Sequence, residues 1–350
     1  MTVRPARLDG HAVRWARGES FPLLVAEDGA AVEGLLLDAP NAQALARVDF
    51  YEAAFGYVRR PVTVTTEAGP VEAQVYVPPG DMWPVGAPWA LNDWVQSWGT
   101  LTLRAAAEVM DRFGQAAPQE VGRHFTQTRM RAASWRRAQE DSVPNVLRSG
   151  LTQENVATAA RRRPYAQFFM VEEQDLRFQR FDGSHSDTVT RAAFVMADAV
   201  TVLPYDPVRD RVLLVEQFRF GPLARGDRHP WSLEPIAGRI DPGETPEAAA
   251  RRETAEESGL TLDRLELVAR YYPSPAAVSE YLFSYIGIAD LPDGVARVSG
   301  LASEAEDIRG IVLEMAEVHA LMASGEAENG PLILSLHWLL AHRDRLRQGA

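Results

Sequence analysis

Three glutamates, Glu253, Glu256 and Glu257, fall within five positions of the stretch GETPEAAARRETAEESG, residues 243–259. On a helix, positions i, i+3 and i+4 share a face, and like charges at that spacing cost a few tenths of a kcal/mol. Something must offset the repulsion. A divalent cation is one candidate, because carboxylates offer the hard oxygen ligands that Mg²⁺ or Mn²⁺ prefers. A charged, solvated helix paired with Arg251 and Arg252 is the other.

The elements that would position these side chains can be read locally. Thr245 is a good N-cap, and Pro246 stands at the first helical position, where its missing N–H costs nothing. Gly259 supplies the C-terminal stop. The helix should therefore span about 246–258. The stretch before it, PIAGRIDPGE, reads as a strand end and a Gly-rich loop. That loop brings backbone amides and carbonyls beside the glutamate face.

The spacing around the helix is specific. Gly238 is followed after five residues by Glu244, and after seven more by Arg252 and Glu253, then Glu256, Glu257 and Gly259. This resembles the Nudix box at every fixed position, with Thr254 in place of the usual aliphatic residue. The resemblance implies that Glu253, Glu256 and Glu257 ligate divalent cations, with the Ala237 carbonyl as a further ligand. It implies that Arg252 orients the glutamates, that Gly238 and Gly259 shape the loop and the helix end, and that Glu244 ties loop to helix. Nudix enzymes cleave a nucleoside diphosphate linked to another moiety. Metal ions stabilise the attacking and leaving oxygens, and a carboxylate takes the proton of the attacking water.

The flanks narrow the resemblance. AVTVLPYDPVRDRVLLVEQFRFGPL before the box, and YYPSPAAVSEYLF, LASEAEDIRG and PLILSLHWLLAHR after it, look like bacterial ADP-ribose pyrophosphatases over about residues 165–345. Pro275 lies 16 residues beyond Gly259, the spacing of the ADP-ribose-cleaving branch. In that branch the general base sits on an acidic loop after the box, here SEAED. Glu304 is then the expected base and Glu306 an extra metal contact. Arg219 is expected to grip the substrate phosphates, work that suits a guanidinium; a surface pair with Glu216 is the plainer alternative. The adenine slot of the branch forms between two subunits. Phe168, Phe169 and Arg180 are the candidates for it here, while the family's Arg-Glu pair falls on Arg191 and Ala192. A homodimer through this half of the chain follows, with Mg²⁺ (or Mn²⁺) as cofactor and ADP-ribose as substrate. Another nucleotide sugar such as GDP-mannose, and a catalytically silent nucleotide-binding sensor, are the competing readings.

The chain as a whole agrees with a soluble α/β protein. It has 350 residues, 46% hydrophobic and 24% charged, with a formal charge of -12 and no cysteine. The acidic balance disfavours a nucleic-acid backbone as partner. Without cysteine there is no disulfide, no cysteine-based zinc site and no cysteine nucleophile. No apolar run is long enough for a membrane span, and MTVRPARLDG lacks the apolar core of a signal peptide, so a cytoplasmic location is expected. Residues 11–78 read as β-rich, interrupted by the helix NAQALARVDFYEAAF, and residues 89–140 switch to helical spacing. RRRPY, residues 161–165, reads as the end of a connector, after which strands return. The expected division is a small β-rich α+β domain at 1–83, a helical extension and linker at 84–160, and a Nudix α/β/α sandwich with a mixed sheet at 161–350.

The first of these domains carries its own resemblance. RLDGHAVRWARGESFPLLV, VEGLLLD, VDFYEAAFGYVRRPVTVTT and AQVYV are similar to the gamma-glutamyl cyclotransferase-like family. The core is Asp49, Tyr51, Glu52, Tyr57 and Arg59, with Glu52 on that family's catalytic acid/base. Two features depart from the pattern. Ala53 replaces the usual glycine, and the family's opening strand with its Tyr-Gly-Ser/Thr-Leu turn is missing. WGTL at 98–101 looks similar but lies in helical sequence. A structural or vestigial Glu52 is the expectation.

Overall fold

The computed structural model describes residues 2–38, 41–80, 82–142, 144, 146–300 and 306–349. It divides into two compact units, Met1–Asp141 and Ser142–Ala350.

In the first unit, β1 (Thr2–Ala16) and β2 (Pro22–Asp38) form a long antiparallel hairpin, and α1 (Ala42–Ala54) follows. β3 (Val58–Thr66), β4 (Gly69–Val77) and β5 (Val85–Pro88) complete a sheet of order β2-β1-β3-β4, with β5 on β1. The helical stretch then runs through α2 (Leu91–Trp94), a π-helical turn, α3 (Thr100–Met110), α4 (Pro118–Arg123) and α5 (Phe125–Glu140). Leu101 and Ala105 of α3 are buried with Ala132 and Ala133 of α5. These helices group with the β-rich segment, and a Cβ on Gly122 of α4 would collide with the Ala54 carbonyl of α1. WGTL lies in the π-helical turn and α3, as its helical surroundings suggest.

The second unit opens with a three-stranded antiparallel sheet, β6 (Val156–Ala166), β7 (Met170–Phe178) and β8 (Val189–Val195). RRRPY lies inside β6 and is no connector. Its arginines pair across the strands, Arg162 with Glu173 at 2.6 Å and with Asp175 at 2.7 Å, and Arg163 with Glu172 at 3.2 Å. A strand stabilised by cross-strand charge pairs lacks the apolar alternation by which strands are recognised.

The larger sheet follows, built from β9 (Ala199–Asp206), β10 (Arg211–Phe218), β11 (Trp231–Glu234), β12 (Ile236–Arg239), β13 (Arg264–Tyr271), β14 (Leu282–Ile288), β15 (Val298–Ser299) and β16 (Ile308–Glu314). Its order is β13-β14-β9-β10-β16-β15, with β11 on β10 and β12 on β9. β9 and β14 are parallel and the other pairs antiparallel, so the sheet is mixed. α6 (Phe220–Arg225), α7 (Pro246–Ser258), α8 (Val318–Ser324) and α9 (Gly330–Gln348) complete the unit.

Strand alternation separates two cores. Val200, Val202, Leu213 and Val215 face Ala249 and Ala250 of α7. Leu203, Tyr205, Val212 and Leu214 face Val318 of α8 and Leu332, Leu336 and Leu339 of α9. Every residue of β14 is buried, as expected of a strand covered on both faces. The result is the α/β/α sandwich with a mixed sheet that the sequence suggests.

Candidate functional site

α7 carries the glutamates and is fixed at both ends. The Thr245 hydroxyl accepts the Ala248 N–H at 3.1 Å, Pro246 occupies the first turn, and Gly259 closes the helix at φ +70°. Thr254 is fully buried, and its hydroxyl donates to the Ala250 carbonyl at 2.7 Å. The polar group introduced at that core position is therefore satisfied.

Arg252 is the hub of the acidic face. It donates to both oxygens of Glu244 (3.0 and 2.9 Å), to Glu253 (2.7 Å), to Glu256 (3.1 Å) and to the Arg239 carbonyl (3.0 Å). Glu244 also accepts the Asp241 N–H at 3.2 Å, which joins the loop to the helix. Arg251 takes no part, because it donates to the Leu262 carbonyl at 2.5 Å. The picture of a solvated helix paired through both arginines therefore fails at Arg251, and at Glu257, which is buried, while Glu256 stays exposed.

Gly238 is the penultimate residue of β12, the strand that faces this helix. A Cβ there would lie 1.8 Å from the Glu253 carboxyl carbon, so only glycine lets the carboxylate rest against the backbone. Glu257 is 3% exposed and accepts the Ala237 N–H, while its Oε2 is buried with no hydrogen-bond partner among the described residues. Burial, then the charges of Glu253 and Glu306, push Glu257 up to about 8. Burial likewise pushes Glu253 up to about 7, against the pull of the Arg252 guanidinium. Two buried carboxylates that resist ionisation need positive charge before both can be anionic.

This donor set suits a hard divalent cation. Glu257 offers a free buried oxygen, and Glu253 rests on the Gly238 backbone. Among the described residues no three acidic or histidine side chains already converge as a cage. Arg252 draws Glu253 and Glu256 toward itself, and Glu304 lies outside the described residues.

Register brings further groups to this face. Arg219, one residue past β10, continues the extended backbone at φ -126°. It grips both oxygens of Glu234 at 2.7–3.1 Å. Its charge is also felt by Glu257, and Glu306 acts on Arg219, Glu253 and Glu257 alike. The alternative pairing of Arg219 with Glu216 does not occur, since Glu216 bonds Arg309 at 2.6 Å on the other face of β10.

Phe168 meets the side chain of Arg239, the last residue of β12, whose guanidinium lies 4.3 Å from the ring centre. Phe169 packs on Tyr165 and Phe194. Phe194 exchanges backbone bonds with Ala277 and Ser279, in the exposed turn that holds Pro275. Arg180 lies exposed in the turn after β7, its N–H bonded to the Ser184 carbonyl.

Two acids escaped the sequence reading. Glu234 is 5% exposed and holds Arg219. Glu280 is raised by burial and faces both Arg239 and Arg219. A lone acid within the apolar runs WSLEP and SEYLF was the available signal.

In the first unit, Glu52 on α1 is raised by burial, and Tyr51 and Tyr57 beside it are pushed up to about 12, also chiefly by burial. Asp49 accepts the Tyr76 hydroxyl at 2.6 Å and pairs with Arg59 at 3.1 Å.

The NUDIX domain family matches residues 196–334, and the family Gamma-glutamyl cyclotransferase, AIG2-like, matches residues 1–96. The ADP-ribose pyrophosphatase of Escherichia coli (strain K12) is 35% identical over 193 residues, 55% of this chain and 91% of that protein. The ADP-ribose pyrophosphatase of Haemophilus influenzae is 32% identical over 199 residues, 56% of this chain and 91% of that protein. The GDP-mannose pyrophosphatase of Citrobacter koseri is 30% identical over 149 residues, 43% of this chain and 76% of that protein.

Proposed function

The chain belongs to the Nudix family, and from that premise we propose that it hydrolyses the pyrophosphate of ADP-ribose to AMP and ribose 5-phosphate. The observation that carries this reading is the meeting of Glu253, Glu257, Glu306 and Arg219 on one face, where Gly238 leaves the room that the Glu253 carboxylate fills.

Nudix hydrolases generally need a divalent cation, and we assign Mg²⁺ or Mn²⁺, held by Glu253, Glu256, Glu257, Glu306 and the Ala237 carbonyl. When bound, the cation offsets the charge that develops on the pyrophosphate oxygens and acidifies water. The chain's own residues do the rest. Arg219, kept in place by Glu234, turns its remaining donors to the phosphates. Arg252 holds Glu253 and Glu256 in register through Glu244. Glu304 takes the proton of the attacking water. Phe168, Arg180 and the Pro275 turn contribute to the nucleoside slot.

The second unit, Ser142–Ala350, carries this activity. In its three-stranded sheet Met170 is the only buried strand residue, and Phe168, Phe178 and Phe194 are exposed. That surface supports a homodimer in which strands of one subunit complete the other's site. Among the described residues no helix is long and apolar enough to cross a membrane, and we place the enzyme in the cytoplasm.

The test is turnover by the purified protein of a panel of nucleoside diphosphate compounds with Mg²⁺ or Mn²⁺. ADP-ribose should be cleaved fastest. Faster cleavage of GDP-mannose would replace the substrate, and no turnover at all would leave a nucleotide-binding sensor.

A further inference from the structure

Gln217 is 6% exposed, and its amide nitrogen is buried with no hydrogen-bond partner among the described residues. Such a donor forfeits its hydration for nothing, which native proteins rarely tolerate away from functional sites.

Its position gives the reason. Side chains alternate along β10, so Leu213, Val215, Gln217 and Arg219 project to the α7 side. Leu213 and Val215 pack with Ala249 and Ala250 of α7. The cross-strand partner of Val215 is Glu234, the acid that holds Arg219, and the partner of Gln217 is Ser232. Gln217 thus lies between the apolar core under α7 and the arginine that faces Glu257 and Glu306.

The acceptors nearby do not serve it. Glu234 accepts from Arg219 through both oxygens and makes no bond to the Gln217 nitrogen. The free oxygen of Glu257 is itself partnerless, so the two do not bond each other. A donor left over beside an arginine and a carboxylate cluster calls for an anionic acceptor brought from outside.

We propose that Gln217 is a substrate-binding residue whose side-chain amide donates to a phosphate oxygen of the bound nucleoside diphosphate, between the grip of Arg219 and the glutamate face. This rests on the hydrolase reading above and adds a contact that the sequence motif does not contain. The phosphate oxygen is the fitting acceptor because a cation-bound water directs its hydrogens outward and so competes as a donor.

The test is Gln217→Met, which keeps the length and removes the donor. A hydrogen bond to a charged group is worth roughly 10- to 100-fold in affinity. kcat/KM for ADP-ribose should fall by that factor, and calorimetric binding of ADP with Mg²⁺ should weaken equally. Adenosine binding should not change. The unliganded variant should melt no lower than the wild type, because it loses an unsatisfied group. A lower Tm with unchanged kinetics would overturn the proposal and give Gln217 a structural partner instead, and an equal loss for adenosine would also overturn it. Should the methionine variant not fold, Gln217→Glu carries the test: an acceptor facing the phosphates should weaken ADP binding more than adenosine binding. If the wild type cleaves no ADP-ribose, the hydrolase assignment fails, while the ADP and adenosine titrations still decide the role of Gln217.

Discussion

Glu257→Gln should affect stability and catalysis in opposite directions. The folded protein raises this carboxyl from 4.5 to about 8, chiefly by burial. A group raised on folding contributes stability that is present below its unfolded pKa and is lost as the pH rises through its folded pKa. At pH 8, without metal, keeping Glu257 ionised costs the folded state roughly 4 kcal/mol. Glutamine removes that cost and can still accept the Ala237 N–H. Its NH₂, however, inherits the partnerless place of Oε2, a penalty of about 1–3 kcal/mol. The net gain is about 2 kcal/mol, or about 4–8 °C in the transition of a unit this size. At pH 5 the cost falls to about 1 kcal/mol, and the variant should be level with the wild type or slightly below it. Scanning calorimetry in EDTA at both pH values measures this. In saturating Mg²⁺ the same variant should lose kcat by orders of magnitude, having lost a cation ligand. A variant destabilised at pH 8 in EDTA, or one with unchanged turnover, would refute the reasoning.

Gly238→Ala places a methyl 1.8 Å from the Glu253 carboxyl carbon; turnover should collapse while circular dichroism changes little, and retained activity would show that the carboxylate rests elsewhere. Arg219→Met strands the buried Glu234 and should cost about 2–3 kcal/mol, less than a fully buried pair because the guanidinium is partly solvated. Adding Glu234→Gln should restore the denaturant midpoint and leave KM for ADP-ribose high, and recovery of both would make the pair purely structural. Glu304→Gln should slow turnover with substrate Kd nearly unchanged, whereas Glu306→Gln should raise the cation requirement; the reverse pattern would exchange their roles. A fragment starting near residue 155 should scatter light as a dimer and lose activity per chain on dilution, and a fully active monomer would remove the shared slot.

The glutamate helix was legible because its evidence is local. Thr245, Pro246 and Gly259 mark its ends, and Gly238, Glu244, Arg252 and Glu253 recur at spacings a single sequence displays. What backs the helix was not legible. Gln217 lies in β10, Glu234 in β11 and Glu280 just before β14, and only the pairing of those strands brings them to one face. β6 was hidden for another reason: Arg162 and Arg163 find their partners in β7, across a turn, and no apolar period announces them. The first unit behaves likewise. Its strands and α1 follow their apolar runs, whereas the closeness of α1 and α4, set by Gly122, has no local signature.

The strand order dictates when during synthesis the site can exist. The box is complete in the chain by residue 259, but β9, which pairs with β12 beneath α7, must also join β14, and Thr201 meets Ser284 across 83 residues of sequence. β16, which flanks β10 and brings Glu306, is later still. Pairings of such sequence separation form slowly. On the ribosome the acidic helix therefore waits, capped at both ends but without its floor, while the first unit is already free to fold. A chain stopped between residues 260 and 280 would carry the whole motif and no site. Low temperature and slow elongation should favour recovery of active enzyme over aggregates of the half-finished sheet.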